Sequence, residues 1–167
     1  MDAYRKRNAP PKELQLFVFR RDGWLCRWCK RPVIFAPALK LLEREVKKSV
    51  QPRPLAYYHG HWTRDRAPLL DELGAVIDHV EAHSKGGPDT GENLATACNK
   101  CNGRKSASCL PDWEKRPKRK PIKGKYGEPQ NWDGLSTLFL VLARRDPSTL
   151  TVTDRNWLRV LTQEGKP

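Results

Sequence analysis

The stretch that decides the fold starts at Ile77-Asp78-His79-Val80 and crosses the loop Ser84-Lys85-Gly86-Gly87-Pro88-Asp89-Thr90-Gly91-Glu92. It ends in Asn93-Leu94-Ala95-Thr96-Ala97-Cys98-Asn99-Lys100-Cys101-Asn102-Gly103-Arg104-Lys105. Residues 75–80 are rich in β-formers and read as a short strand. The glycines and Pro88 mark the next nine residues as a loop. Asn93 to Ala97 lead into a Cys-x-x-Cys knuckle, and a helix is predicted to open over 102–107. These residues can do a job together. Asp78 is a hard oxygen donor suited to Mg²⁺ or Mn²⁺. On a strand, His79 points to the other face, so the two need not compete for one metal. A neutral histidine is the natural base for taking a proton from water near neutral pH. Asn102, just past the knuckle, offers an amide oxygen as a second ligand, and Arg104 and Lys105 are placed to meet phosphate. His83 could touch phosphate or supply a third ligand, and a plain loop histidine is an equal alternative. A metal, a base and cations around a phosphate are the inventory for phosphodiester hydrolysis.

The five cysteines resolve into four plus one: Cys26-x-x-Cys29 and Cys98-x-x-Cys101, with Cys109 left over. Two such knuckles suit one tetrahedral zinc. A redox Cys-x-x-Cys is the competing reading, but neither pair sits in a βαβ pattern. The spacer between the knuckles is much longer than in a zinc ribbon, so a substantial segment is inserted between the two halves of the site.

Around this centre the chain divides into a basic N-terminal arm (1–12), a main domain (13–110) with an inserted helical segment at about 34–74, a basic linker (111–130) and a C-terminal helical segment (131–167). The first helix is expected over 12–22, with Leu14, Phe17 and Val18 as its apolar positions and Gly23 ending it. A second, over 38–48, puts Leu39, Leu42 and Val46 on one face. Aromatic packing of the insertion is the expected role of His59, His61 and Trp62. Pro117 and Pro121 keep Lys115–Lys125 from forming a helix. Farther on, Leu135, Leu138, Phe139 and Leu142 share a face, and Thr153 is a candidate N-cap for a last helix holding Trp157, Leu158 and Leu161.

With 167 residues, 32 Lys+Arg and 19 Asp+Glu, the chain carries a formal charge of +13. Mean hydropathy is −0.76 and the pI about 9.8. No apolar run approaches a membrane span, and no secretory signal is visible, so a cytoplasmic protein without a membrane partner is expected. The excess charge points to nucleic acid. It is concentrated at Lys115, Arg116, Lys118, Arg119, Lys120, Lys123 and Lys125, an acid-free run suited to sequence-independent backbone contacts. The bland alternative is a solvated charged segment.

The ordered set Asp78-His79, Gly86-Gly87, Asn93-Leu94 and Cys98-x-x-Cys101-Asn102-x-x-Lys105, with the lead-in Arg20-Arg21-Asp22-Gly23-x-x-Cys26-x-x-Cys29, resembles the HNH endonuclease family. The resemblance covers residues 20–106, loosely over 31–74. It implies an α+β protein with a small ββα-metal core, a structural zinc on Cys26, Cys29, Cys98 and Cys101, and flanking helices. It also implies DNA cleavage, with RNA not excluded. His79 would be the general base, and Asp78 and Asn102 the ligands of a catalytic Mg²⁺ or Mn²⁺. Asn93 would brace the hairpin loop and hold His79. Asn102 stands where many members carry histidine, a swap that functional members share. The alternative function is a non-catalytic zinc module that binds nucleic acid.

Overall fold

The computed structural model describes residues 9–49, 72–118, 120 and 131–163; side chains at 47–49 are left aside. Helix α1 spans Lys12–Arg21 and α2 Ala36–Ser49. Strand β1 (Ala75–His79) pairs antiparallel with β2 (Leu94–Cys98), with Asp78 opposite Ala95 and His79 opposite Leu94. Helices α3 (Asn99–Lys105) and α4 (Leu110–Lys115) follow, then α5 (Ser136–Arg145) and α6 (Val152–Gln163). No helix among the described residues is long and apolar enough to cross a membrane.

A two-stranded sheet is marginal by itself in water, and here β2 is enclosed. All five of its residues are buried. Its second edge is satisfied from the α1 end: the Thr96 N–H donates to Asp22 Oδ2 at 2.7 Å, and its carbonyl accepts from the Arg27 N–H at 2.8 Å. The Arg21 guanidinium donates to the Leu94 carbonyl at 2.8 Å. Leu94 and Thr96 on that edge are therefore not open to another chain.

One core joins the parts. Phe35 sits edge-on to Trp24, Phe139 and Trp157, with ring centroids 5.9, 5.5 and 5.0 Å away. The four knuckle cysteines belong to the same cluster as these aromatics and the C-terminal helices. The C-terminal helices therefore pack on the core. Gly134 makes this docking possible: a Cβ there would lie 2.2 Å from the Trp24 ring, and its φ of +67° is in the left-handed region. The insertion is closed at its base, where the Ile34 N–H donates to the Leu73 carbonyl and the Ala75 N–H to the Ile34 carbonyl, both at 2.8 Å.

Four local expectations change. The helix expected over 102–107 is α3, which begins at Asn99 and ends at Lys105, so Asn102 lies inside it. The buried positions of α1 are Leu16, Val18 and Phe19, while Phe17 is 52% exposed. Residues 14, 16, 17, 18 and 19 are all apolar, so periodicity alone could not select the face; packing against β2 and α6 did. Thr151, not Thr153, caps the last helix. Its hydroxyl accepts from the Asp154 N–H at 3.2 Å, and its own backbone N–H donates to Asp154 Oδ2 at 2.9 Å, a reciprocal box. Finally, the segment read as linker begins with a helix, α4, whose Trp113 is fully buried. Its proline-bearing continuation ends the helix as expected. His59, His61 and Trp62 lie outside the described residues.

Candidate active site and cysteine cluster

The Sγ atoms of Cys26, Cys29, Cys98 and Cys101 lie within 4.8 Å of one another, and all four residues are buried. A tetrahedral zinc with Zn–S bonds of about 2.3 Å requires sulfurs about 3.8 Å apart; Cys29 and Cys98 are separated by 3.9 Å. The first knuckle is a tight turn in which the Lys30 N–H donates to the Cys26 carbonyl at 2.8 Å. The second straddles the start of α3, where the Cys98 sulfur accepts from the Cys101 N–H at 3.4 Å. Hydrogen bonds among the thiols draw Cys26 and Cys29 below the ordinary thiol range and, with burial, push Cys98 and Cys101 above it. Four buried sulfurs at this spacing suggest a zinc site.

Strand alternation separates Asp78 from His79. Asp78 is 4% exposed. Its Oδ2 accepts from the Trp28 indole N–H at 2.7 Å and its Oδ1 from Lys105 Nζ at 3.2 Å. Burial pushes its carboxyl above the ordinary value of 3.8, and Lys105 and the Trp28 N–H only partly offset this. Lys105 is itself fully buried and also donates to the His79 carbonyl at 2.5 Å. A surface phosphate contact is therefore not where its side chain lies. Arg104 is exposed, and its guanidinium donates to the Pro117 carbonyl at 3.1 Å.

The His79 side chain is 18% exposed, and its Nε2 meets Asp89 Oδ1 at 2.5 Å. A carboxylate only accepts, so in this pair Nε2 carries the proton and Nδ1 is the basic nitrogen. His83, in a 3-10 turn over His83–Lys85, sets its ring edge-on to His79 at 5.5 Å. Asn93 braces the loop: its Oδ1 accepts from the Glu81 N–H at 2.9 Å, and its Nδ2 donates to the carbonyls of Glu81 and Pro88 at 3.1 and 3.0 Å. Gly87 is needed where the loop folds back, because a Cβ would lie 2.0 Å from the Glu81 carbonyl oxygen.

Asp78, His79, His83, Asp89 and Asn102 line one cleft of about 730 Å³. Of the basic run, Lys115 and Arg116 are exposed, and Arg116 donates to the Arg104 carbonyl at 3.1 Å. Lys118 is turned inward, its amine 4.2 Å above the Trp113 ring and donating to the Arg116 carbonyl at 2.6 Å. The Lys120 carbonyl accepts from Arg31 at 2.9 Å. This part of the run is docked on the core rather than loose. Arg119, Lys123 and Lys125 lie outside the described residues.

Sequence reasoning missed two residues. Asp89 read only as part of a loop, yet it lies ten positions after His79, and the turn braced by Asn93 folds it back. Trp28, one of the two residues between Cys26 and Cys29, carried no reading of its own. The available signal for Asp89 was chemical: a catalytic histidine is usually oriented by a carboxylate.

A hairpin followed by a helix entered through a Cys-x-x-Cys, with an Asp-His pair beside a cleft, is a ββα arrangement. Residues 68–108 match the family model described as HNH endonuclease, a span that contains Asp78, His79, Asn93, Asn102 and the second knuckle. No curated protein and no solved structure matches the chain.

Proposed function

We propose that the protein is a metal-dependent endonuclease that hydrolyses DNA phosphodiester bonds with little sequence preference. The observation that carries this reading is the His79–Asp89 pair opening on the cleft that Asp78 and Asn102 also line. The donor set fits a hard divalent cation. The two oxygens of Asp78 have four lone-pair positions and give up one each to Trp28 and Lys105, and Asn102 adds an amide oxygen. Asp78 and Asn102 would hold Mg²⁺ or Mn²⁺, which would supply Lewis-acid stabilisation of charge on the phosphoryl and leaving oxygens.

The chain's own residues do the rest. His79 Nδ1 accepts the proton of the attacking water. Asp89, bonded to Nε2, holds the ring and steadies the imidazolium that results. Asn93 keeps the loop that carries Asp89 in shape. Cleavage leaves 5′-phosphate and 3′-hydroxyl ends. Arg104, Lys115, Arg116 and Lys120, with Arg119, Lys123 and Lys125, contact the phosphate backbone, and these contacts weaken steeply with salt.

The test is supercoiled plasmid incubated with Mg²⁺ or Mn²⁺, with and without chelator, beside His79→Ala and a matched RNA substrate. Nicking should need the metal and fall about 10²–10⁴-fold in the variant. Equal nicking by both proteins overturns the assignment. Salt-sensitive binding without cleavage in any metal would return the zinc-containing binding module. Cleavage of RNA alone would change the substrate.

A further inference from the structure

The two donors on Asp78 come from the two halves of the cysteine cluster. Trp28 lies between Cys26 and Cys29, and its indole N–H reaches Asp78 Oδ2 at 2.7 Å. Lys105 lies four residues after Cys101, one turn along α3, and its amine reaches Oδ1 at 3.2 Å. The arms also touch each other: the Lys105 amine is 5.7 Å above the Trp28 ring. The back of that ring is fixed edge-on against Trp113 at 5.9 Å and 88°, and Trp113 is fully buried. Trp28 therefore has little freedom to follow Asp78; Asp78 must follow Trp28. If the indole only filled space, its one polar atom would not have to meet the one buried carboxylate of the hairpin.

We propose that Trp28 is a positioning residue that couples the four-cysteine cluster to Asp78, orienting the carboxylate so that its remaining lone pairs face the cleft for a divalent cation. This rests on the reading of Asp78 as a metal ligand. Closing the cysteine cluster around zinc sets the distance between the two arms. The cluster thereby tunes the second metal site without contributing a ligand to it.

The experiment measures Mn²⁺ binding by calorimetry, without nucleic acid, on the zinc-loaded protein and on Trp28→Phe and Asp78→Ala. Zinc content and melting temperature are recorded for each. Trp28→Phe keeps the ring and deletes the N–H. It should retain zinc and bind Mn²⁺ about tenfold more weakly, the size expected for one hydrogen bond to a charged group. Asp78→Ala should abolish that binding. Wild-type Mn²⁺ affinity in zinc-replete Trp28→Phe, with binding lost in Asp78→Ala, overturns the coupling alone. Unchanged binding in Asp78→Ala overturns the ligand reading and the coupling with it. Should Trp28→Phe lose its zinc, the intact protein decides: the Trp28 indole N–H resonance should shift on adding Mg²⁺, and a resonance that stays put overturns the proposal.

Discussion

Asp78 and His79 are neighbours on one strand, yet they are held by different kinds of structure. Asp78 faces the cysteine side, where its partners are Lys105, fully buried, and Trp28, half-buried, both anchored to the two knuckles. His79 faces the loop side, where its partner Asp89 is 42% exposed and stands on a loop braced by Asn93. The carboxylate is held by residues of a buried four-cysteine cluster, the imidazole by a solvent-facing turn. Regions of the second kind open locally at low free-energy cost, and those of the first open only with the global fold. The two sides should therefore break separately.

The largest effect belongs to the cysteine side. Cys98→Ser should remove zinc and unfold β2 and α3 together, since structural zinc contributes on the order of 10 kcal/mol of apparent folding free energy. Metal analysis and thermal melting check this; an unchanged melting temperature would count against zinc as the closure.

Gly87→Ala acts on the loop side. Its Cβ would meet the Glu81 carbonyl oxygen at 2.0 Å, so the backbone must move. We expect about 1–3 kcal/mol of destabilisation and a loss of plasmid nicking with zinc content unchanged. Zinc loss in this variant would show that the two sides are one cooperative unit.

Asp89→Ala is subtler. The melting temperature should hold, while nicking falls by roughly tenfold, the value of one hydrogen bond to a charged group. Wild-type nicking would leave His79 oriented by the strand alone.

The smallest effect lies away from both sides. Asp154 is buried, which opposes ionisation, but hydrogen bonds from Thr151 and Arg44 outweigh this and hold its carboxyl below the ordinary 3.8. A depressed carboxylate stabilises the fold above its unfolded value and loses that contribution as the pH falls. Asp154→Asn should thus cost about 1 kcal/mol at pH 7, and the difference from wild type should shrink as the pH falls through 3.8 and below. Urea denaturation across that range measures it, and a difference independent of pH would mean the carboxylate charge is not involved.

Much of the hairpin was legible in the sequence, because its signals are local. Strand alternation separated Asp78 from His79, paired glycines and Pro88 marked the turn, and Cys-x-x-Cys spacing announced the cluster. The faces of α1 and the cap of α6 were less legible. Five apolar residues between Leu14 and Phe19 leave the buried side to be chosen by β2 and α6, and two threonines compete for one cap until Asp154 selects Thr151. The roles of Trp28, Lys105 and Asp89 were not legible, because each depends on a partner 10 to 50 residues away.

The sequence by itself determined the inventory: four thiols in two pairs, an Asp-His strand, a glycine-bearing loop, an asparagine behind a knuckle, and an excess of cations. Those follow from residue type and short spacing, which act before the chain has a shape. The tertiary structure decided allegiance. It buried Lys105 beside Asp78 instead of leaving it in solvent, tied Trp28 from the first knuckle to the same carboxylate, and folded Asp89 over His79. A buried charge must find a partner wherever the packing places one, and only the closed fold says which residue is within reach.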